Sequence, residues 1–132
     1  MSTSIFINLP VKDVKAATAF FARTGFAIDE RFTSEEAACA VVADGVFVML
    51  VSEPSFKDGS GREVADTSQV SEALLAVQVD RRERVDELVD AAIAAGGESN
   101  GDAMDESFMY SRGFRDLDGH LWNVLHMPAT ES

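Results

Sequence analysis

The sequence predicts an α+β fold in which a β-α-β-β-β module occurs twice. Two stretches of the chain repeat apolar residues at helical spacing, and each follows one strand-like segment and precedes three more. Glycines stand just after both predicted helices, at Gly25 and at Gly96-Gly97, where a helix commonly ends. The length of 132 residues is that of one domain. We therefore expect a single domain whose two modules share one element order.

The first module begins with a strand and a helix. The segment Ile5–Val11 is almost entirely apolar, which favours a strand. From Val14 to Thr24 the apolar side chains follow the i, i+3, i+4, i+7 spacing of a helix. Asp13 precedes this helix and is the expected N-cap, because its carboxylate accepts the unpaired amide protons of a first turn.

Three strands are predicted to complete the first module. They span Phe26–Phe32, Ala37–Ala43 and Val46–Ser52, which are rich in apolar residues. Asp44 and Gly45 separate the last two strands. This pair favours a type I′ hairpin turn, since that turn needs positive φ at both positions.

The second module repeats this order. Ala73–Val79 is predicted as a strand, and Asp80 as the cap of the next helix, with Glu83 completing an Asp variant of the capping box. The helix is predicted from four apolar residues at helical spacing: Val85, Leu88, Val89 and Ala92. Three further strands and one turn are predicted at Glu98–Ala103, Phe108–Phe114, Asp118-Gly119 and Leu121–Met127.

The connection between the modules has two interpretations. Module one is predicted over about residues 4–53 and module two over about residues 73–127, so about residues 54–72 connect them. Long irregular connections in small domains are usually linkers, binding loops or lids. A linker is the simpler interpretation, because two modules need a connection. The lid interpretation stays open, since Phe56 supplies an apolar anchor and Lys57 and Arg62 supply charges that hold a ligand.

Charge and cysteine content exclude several classes of protein. The 11 Lys and Arg residues against 23 Asp and Glu residues give a net charge of −12, which argues against binding to nucleic acid or to an anionic membrane. No apolar run reaches the roughly 18 residues of a membrane-spanning helix. Cys39 is the single cysteine and lies in an apolar run. It is predicted to be buried, and a reducing, cytoplasmic location is expected.

Several segments carry a resemblance to a known family. They are Leu9–Val14, Phe20-Phe21, Thr24–Phe26, Val79-Asp80, Ala94–Gly97 and Asp116–Trp122. In this order they resemble the vicinal oxygen chelate superfamily, which contains glyoxalase I, bleomycin-resistance proteins and extradiol dioxygenases. Asp116–Trp122 is similar to the turn before that family's last strand, with Leu117 in place of its proline. Within the superfamily, the chain is most similar to the bacterial subgroup labelled predicted lactoylglutathione lyase.

The resemblance implies a geometry and a set of ligand positions. The two modules are expected to pair into a curved mixed-sheet half-barrel that encloses a pocket. Metal-binding members place His, Gln or Glu on the first and last strand of each module, and these positions fall on Phe6, Met49, Leu74 and Asn123 here. Such a metal prefers imidazole and carboxylate ligands, and none of the four residues supplies one. We therefore expect no bound catalytic metal and no other cofactor.

Other residues are not expected to replace these ligands. His120 follows Gly119 in the predicted turn, where a solvated loop residue is the simpler interpretation. His126 has the strand parity opposite to that of Asn123, so it is expected to point away from the pocket. Glu53 could act as a displaced ligand or general base, but a surface acid at a strand end is the simpler interpretation.

Strand parity predicts which side chains line the pocket. If the four ligand positions point inward, one amide on each of three strands shares their face. The predicted lining residues are Phe6, Asn8, Met49, Leu74, Gln78 and Asn123. Apolar walls with a few orienting polar groups are typical of a small-molecule site. Alternatively, each amide is a buried group paired to backbone or water.

Tyr110 and Arg112 share a parity on the strand Phe108–Phe114 and are further candidates. A guanidinium beside a phenol can clamp a carboxylate or a phosphate. The alternative is an ion pair between Arg112 and an acid such as Asp105 or Glu106. Three acids on the second helix are expected to form a solvated face: Asp86, Glu87 and Asp90.

These features predict a glyoxalase- or bleomycin-resistance-like protein that binds a small molecule in an apolar pocket without the usual catalytic metal. The alternative is a metal-dependent lyase, similar to lactoylglutathione lyase, or a dioxygenase, in which a divalent metal polarises the substrate. A third hypothesis is a scaffold that acts mainly by dimerisation, because exposed apolar sheet edges favour pairing. The expected partners are a small molecule and a second copy of the chain in a homodimer.

Overall fold

Each half of the chain folds as one mixed sheet with a helix packed on one face. The computed structural model describes residues 3–128, and the chain divides into two compact units, Met1–Asp66 and Thr67–Ser132. In each unit one strand and one helix precede the remaining strands, three in the first unit and four in the second, so the predicted α+β fold is confirmed. Among residues 3–128, no helix combines the length and apolar character that a membrane span needs.

The first unit contains a four-stranded sheet in the order β1-β4-β3-β2. Strand β1 pairs parallel with β4, and β3 pairs antiparallel with β4 and with β2. The elements are β1 (Ile5–Val11), α1 (Val14–Thr24), β2 (Ala27–Ile28), a short 3₁₀ helix (Glu30–Phe32), β3 (Ala37–Ala43), β4 (Val46–Ser52) and α2 (Glu53–Ser60).

Helix α1 begins and ends where its sequence predicts. Asp13 accepts a hydrogen bond from the Ala16 amide at 3.1 Å, and Gly25 ends the helix with a φ of 115°, a left-handed conformation that favours glycine. The helix buries one face against the sheet. The buried side chains on both sides of this contact are Leu9, Val11, Ala17, Phe20, Phe21, Val48 and Leu50. Burying each of the large ones contributes about 1.5–3 kcal/mol.

Two predictions for the first unit are wrong in detail. The strand predicted over Phe26–Phe32 is only Ala27–Ile28, because Asp29 accepts from the Arg31 amide and starts the 3₁₀ helix. The Asp44-Gly45 turn is not type I′, since no described non-glycine residue has positive φ. Instead, a register shift between Val41 and Ala43 accommodates the turn.

Helix α2 occupies much of the connection that was predicted to be irregular from about residue 54 onward. Ser52 caps it by accepting from the Ser55 amide, and Pro54 lies in the first turn, where its missing N–H costs nothing. Gly61 ends the helix with a φ of 77°.

The second unit has a sheet in the order β5-β9-β8-β6, with β7 also paired to β8. Its elements are β5 (Leu74–Gln78), α3 (Arg82–Ala94), β6 (Glu98–Ser99), β7 (Met104–Glu106), β8 (Met109–Arg115) and β9 (Leu121–His126). Helix α3 buries the four residues that its periodicity predicts: Val85, Leu88, Val89 and Ala92. They belong to one core with Phe114, Trp122 and Val124.

Two predictions for the second unit are corrected. Asp80 does not cap α3, because the helix begins one residue later and Arg81 occupies the cap position without a side-chain hydrogen bond. The strand predicted over Glu98–Ala103 breaks after Ser99, and Gly101 turns the chain with a φ of 79°. The chain then pairs with β8 again as β7.

A buried carboxylate organises the turn between β8 and β9. Asp116 accepts hydrogen bonds from the amides of Asp118 at 2.9 Å and His120 at 3.0 Å, and from the indole of Trp122 at 3.1 Å. Burial raises the pKa of Asp116, and the nearby His120 partly offsets that rise. Thr67 donates its hydroxyl to the Asp118 carbonyl, which ties the start of this unit to the same turn.

His120 is buried, so its interpretation as a solvated loop residue is wrong. Its side chain lies in the turn that Asp116 organises, and the residue is only 2% exposed. Its Nδ1 lies 3.7 Å from the Glu72 carboxylate. A residue after a turn glycine is usually solvated, but here the Asp116 and Glu72 carboxylates lie beside His120 in the folded turn.

Candidate functional site

The face of the first sheet that is turned away from α1 carries an aromatic cluster. We call it the first distal face; it contains Phe6, Asn8, Cys39, Phe47 and Met49, which the strand register places on one side. The rings of Phe6 and Phe47 stack at 4.7 Å between centroids. Phe6 remains 43% exposed, so this face offers apolar aromatic surface.

Polar groups at the first distal face are mostly committed to local partners. The Asn8 amide donates to the Phe6 carbonyl at 3.2 Å. Arg31 donates to both carboxylate oxygens of Asp29 at 3.1 and 2.7 Å, which lowers the pKa of Asp29, and its guanidinium lies 5.2 Å from the centre of the Phe32 ring. Burial raises the pKa of the Cys39 thiol, as expected for an unreactive buried cysteine.

The face of the second sheet that is turned away from α3 carries amides between apolar side chains. We call it the second distal face. Its register aligns Leu74 with Leu121, Ala76 with Asn123, and Gln78 with Leu125. On the other side of β9, Ser111, Gly113 and Arg115 of β8 continue the face. Leu74, Gln78 and Asn123 therefore share one face, as strand parity predicts.

Gly113 creates the space in which the Asn123 side chain lies. A Cβ atom at position 113 would stand 2.8 Å from Asn123 Oδ1, 3.3 Å from Asn100 Cβ and 3.5 Å from Asn100 Nδ2. The main-chain N–H of Asn100 donates to the Gly113 carbonyl at 2.9 Å, which holds Asn100 beside the strand. Two carboxamides thus meet above one glycine.

The sequence did not single out Asn100 or Gly113. The signal that points to Gly113 is its parity: it alternates with Arg112 and Phe114 and so lies on the amide-bearing face. Asn100 carries no comparable signal, since its position depends on the break that follows β6.

Tyr110 and Arg112 lie on the opposite face, against α3. Arg112 Nη1 donates to Asp86 at 3.0 Å and to Asp90 at 2.9 Å, and the Tyr110 hydroxyl donates to Asp86 at 2.7 Å. The hydrogen bond from Tyr110, together with Arg112, lowers the pKa of Asp86. An ion pair therefore forms, as in the alternative interpretation, but with acids of α3 rather than with Asp105 or Glu106.

The acidic face of α3 is exposed to solvent, as predicted, but its three acids also pair with arginines. Asp86 and Asp90 bind Arg112, and Glu87 pairs with Arg81 at 3.1 Å. Beside this network, a cavity of about 370 Å³ is lined by Arg82, Tyr110 and His126 among others. Arg82 is already paired there, since it donates to both Asp105 oxygens at 3.0 and 2.6 Å and lies 3.9 Å from the Tyr110 ring centre.

The side chains present do not fit a divalent metal centre of the kind that the resemblance implies. Phe6 and Leu74 have no donor atom, Met49 offers a soft thioether, and Asn123 offers a neutral amide. Within residues 3–128, no three His, Cys, Asp or Glu side chains are grouped so as to hold a metal ion.

The two remaining candidate ligands have other positions. His126 Nδ1 lies 3.0 Å from the Val79 carbonyl, on the α3 side of the sheet where its parity predicts it. Glu53 is in the first turn of α2, where a carboxylate interacts favourably with the helix dipole.

Comparison with known proteins supplies independent findings. The family model of the Glyoxalase/Bleomycin resistance protein/Dioxygenase superfamily matches residues 5–124. No curated protein matches the chain.

Solved structures share this fold. A hypothetical protein from S. aureus is 26% identical, with a TM-score of 0.80 over 96% of this chain and 94% of that one. A glyoxalase/bleomycin resistance protein/dioxygenase family enzyme from Burkholderia phytofirmans is 20% identical, with a TM-score of 0.79 over 96% and 99%. A genomically encoded fosfomycin resistance protein from Listeria monocytogenes is 21% identical, with a TM-score of 0.66 over 96% and 93%.

Proposed function

The chain belongs to the Glyoxalase/Bleomycin resistance protein/Dioxygenase superfamily, and on that premise we propose that it binds a small organic molecule without the catalytic metal of the superfamily's enzymes. One observation carries the proposal. Phe6 and Leu74, which occupy two of the expected metal-ligand positions, present hydrocarbon instead of a donor atom. A Lewis acid cannot be held by such a set, whereas an apolar ligand can be.

The composition of each distal face, considered by itself, supports binding. The first contributes the stacked rings of Phe6 and Phe47 and the adaptable side chain of Met49. The second contributes Leu74 and the amides of Gln78 and Asn123. Apolar surface with few polar groups is what small-molecule sites present. Tyr110 and Arg112 are left out of this proposed set, because α3 already supplies their partners.

Charge favours neutral or cationic ligands. The net charge of −12 produces a field that repels anions and attracts cations. Sequestration of a drug-like compound, as the family's resistance proteins carry out, is consistent with this preference. A fosfomycin resistance protein is among the structural neighbours, so the fold also occurs in a second kind of resistance protein.

Elemental analysis together with calorimetric titration tests the proposal. We expect untagged protein purified without chelator to contain no stoichiometric Ni, Zn, Mn or Fe, and a panel of neutral and cationic aromatic compounds to include saturable ligands. Phe6→Ala should weaken their binding roughly three- to tenfold, the worth of an aromatic contact. Phe108→Ala is the matched control, since this side chain is 65% exposed and lies outside both distal faces.

Other outcomes would assign a different function. A near-stoichiometric metal would favour the alternative, a metal-dependent lyase of the lactoylglutathione type or a dioxygenase. If no compound of the panel binds saturably, small-molecule binding is contradicted, and the remaining hypothesis is a scaffold that acts mainly by dimerisation.

We further propose a homodimer in the cytoplasm. Strand β1 is at the end of its sheet, and Ile5 and Phe6 there are exposed, which favours pairing of copies. The buried, unpaired Cys39 suits a reducing compartment. Light scattering coupled to size-exclusion chromatography measures the mass: a monomer at micromolar concentration contradicts the dimer.

A further inference from the structure

We propose that the second distal face recognises a neutral, planar amide-type group through a carboxamide cluster, in which Asn100 and Asn123 meet at Gly113 and Gln78 lies further along the same face. This inference rests on the proposed small-molecule function and names the chemical class of its ligand. Amides, lactams and imides belong to this class, because they present a donor and an acceptor side by side without net charge.

The centre of the cluster is a position without a side chain. Gly113 is buried, and a Cβ there would overlap Asn123 Oδ1 at 2.8 Å, closer than side-chain atoms pack. Its φ is not in the left-handed range, since it is absent from the glycines with positive φ. The backbone therefore does not require glycine at this position. Glycine is required instead by the Asn123 carboxamide, which a larger residue at position 113 would displace.

The three carboxamides keep their hydrogen-bonding capacity. Within residues 3–128, no hydrogen bond is found for the side-chain amides of Asn100, Asn123 or Gln78, although the main chain of Asn100 is held by Gly113. Each carboxamide offers two N–H donors and one carbonyl acceptor. A cluster of such groups beside a strand can satisfy both halves of a ligand amide.

The surroundings select against charged ligand groups. Leu121 and Leu125 flank Asn123 on the same face of β9, and Ala76, which is aligned with Asn123, leaves room beside it. Arg115, the nearest cation in the register, donates its Nη1 to the Gly119 carbonyl at 3.0 Å. A charged ligand group would lose water here without gaining a counter-charge.

Three ring compounds of the same shape separate the charge classes. Benzamide is neutral, benzoate is an anion and benzamidine is a cation. The chain contains five side-chain amides, those of Asn8, Gln69, Gln78, Asn100 and Asn123, and their NH₂ signals can be followed in ¹⁵N-labelled protein during titration. We expect benzamide to shift the signals of Asn100, Asn123 and Gln78 saturably while that of Gln69 stays in place. Benzoate and benzamidine should bind roughly tenfold more weakly.

Variants test the role assigned to Gly113. Asn123→Ala should weaken benzamide binding roughly tenfold, the effect of one lost hydrogen bond at the upper end of its usual range. Gly113→Ala should weaken it similarly, because the added methyl displaces Asn123. In the Asn123→Ala background, Gly113→Ala should cause a much smaller further loss, because only the 3.3 Å contact with Asn100 Cβ remains. Gln69→Ala removes an amide from outside the cluster and should leave the affinity unchanged, and backbone spectra verify that each variant is folded.

Several results would overturn the inference. Equal affinities for the three compounds, benzamide shifts only outside the cluster, or an unchanged affinity in Gly113→Ala each contradict it. The compound panel separates this failure from that of the proposed function. If panel compounds bind saturably while benzamide leaves the three cluster signals unmoved, small-molecule binding stands and amide recognition is wrong. If no compound binds, both are wrong.

Discussion

The indole Nε1 of Trp122 donates a hydrogen bond to Asp116 Oδ2 at 3.1 Å inside the core of the second unit. The other carboxylate oxygen accepts from two amides of the turn. One side chain thus fixes both the turn before the last strand and the largest buried ring of the chain. Removing the Asp116 carboxylate therefore leaves the two turn amides and the Trp122 indole without their acceptor.

Asp116→Ala is expected to destabilise the protein by about 3 kcal/mol, because each buried donor that loses its partner costs about 1–3 kcal/mol and the losses are not fully additive. Asp116→Asn should cost less, since its carbonyl oxygen can still accept from the turn amides. Urea unfolding followed by tryptophan fluorescence measures both. Asp102→Ala, on an exposed loop, is the control and should stay within about 0.5 kcal/mol of the wild type. An equally small effect of Asp116→Ala would show that the carboxylate does not hold the turn.

The hydrogen bond between Tyr110 and Asp86 predicts how stability depends on pH. Folding lowers the pKa of Asp86 below its ordinary 3.8, so its contribution is present above the unfolded pKa and is lost as the pH falls through the folded value. Tyr110→Phe removes the largest cause of this shift. We expect a loss of less than about 1 kcal/mol at neutral pH, because Asp86 is half exposed and solvent screens it.

The same variant should lose less stability than the wild type as the pH drops below 3.8. Urea unfolding at pH 7 and at several values between about pH 5 and pH 2.5 measures the slope. Parallel pH profiles for the two proteins would contradict the assignment of this shift to Tyr110.

Gly59 within α2 and Gly61 just after it provide a matched pair of substitutions. Gly59 lies within the helix with nothing within 4 Å of a new Cβ, so Gly59→Ala should stabilise the protein by about 0.5–1 kcal/mol. Gly61 also has open space, but its φ is 77°, so Gly61→Ala should destabilise it by about 1–2 kcal/mol. Thermal and urea unfolding measure the opposite signs. A stabilising Gly61→Ala would mean that α2 does not end in a left-handed residue.

Cys39 should be chemically silent in the folded protein. It is fully buried, and burial raises the pKa of its thiol, so little thiolate reaches solvent. Reaction with Ellman's reagent should be at least about 100-fold slower in buffer than in denaturing urea, because it requires local unfolding. Comparable rates in the two conditions would show that the segment around Cys39 opens readily.

Periodicity predicted the core well, because burial of one helix or strand face is encoded in local spacing. Val85, Leu88 and Val89 are buried as their spacing indicates. A cap position depends on a single residue, and the sequence predicts the α3 cap at Asp80, one residue before its actual position at Arg81. The strand predicted over Phe26–Phe32 failed because Asp29 bonds locally to Arg31, and this bond competes with the sheet.

The site was predictable only in part. Parity places Leu74, Gln78 and Asn123 on one face, because alternation follows from the strand itself. Gly113 has the parity of this face, but a glycine has no functional group, so its role depends on neighbouring side chains that the sequence does not place. The burial of His120 depends on Asp116 and on the distant Glu72, and no local pattern records that convergence.

The buried Asp116 carboxylate should also make hydrogen exchange slower at the turn between β8 and β9 than at the Asp44-Gly45 turn. The Asp44-Gly45 turn of the first unit has no comparable anchor in the part of the chain described. The amides of Asp118 and His120 are bound by Asp116, and amides held in this way exchange with solvent only when the surrounding structure opens. In deuterium exchange, the second turn should therefore retain its protons as a core strand does, although it is a loop by geometry.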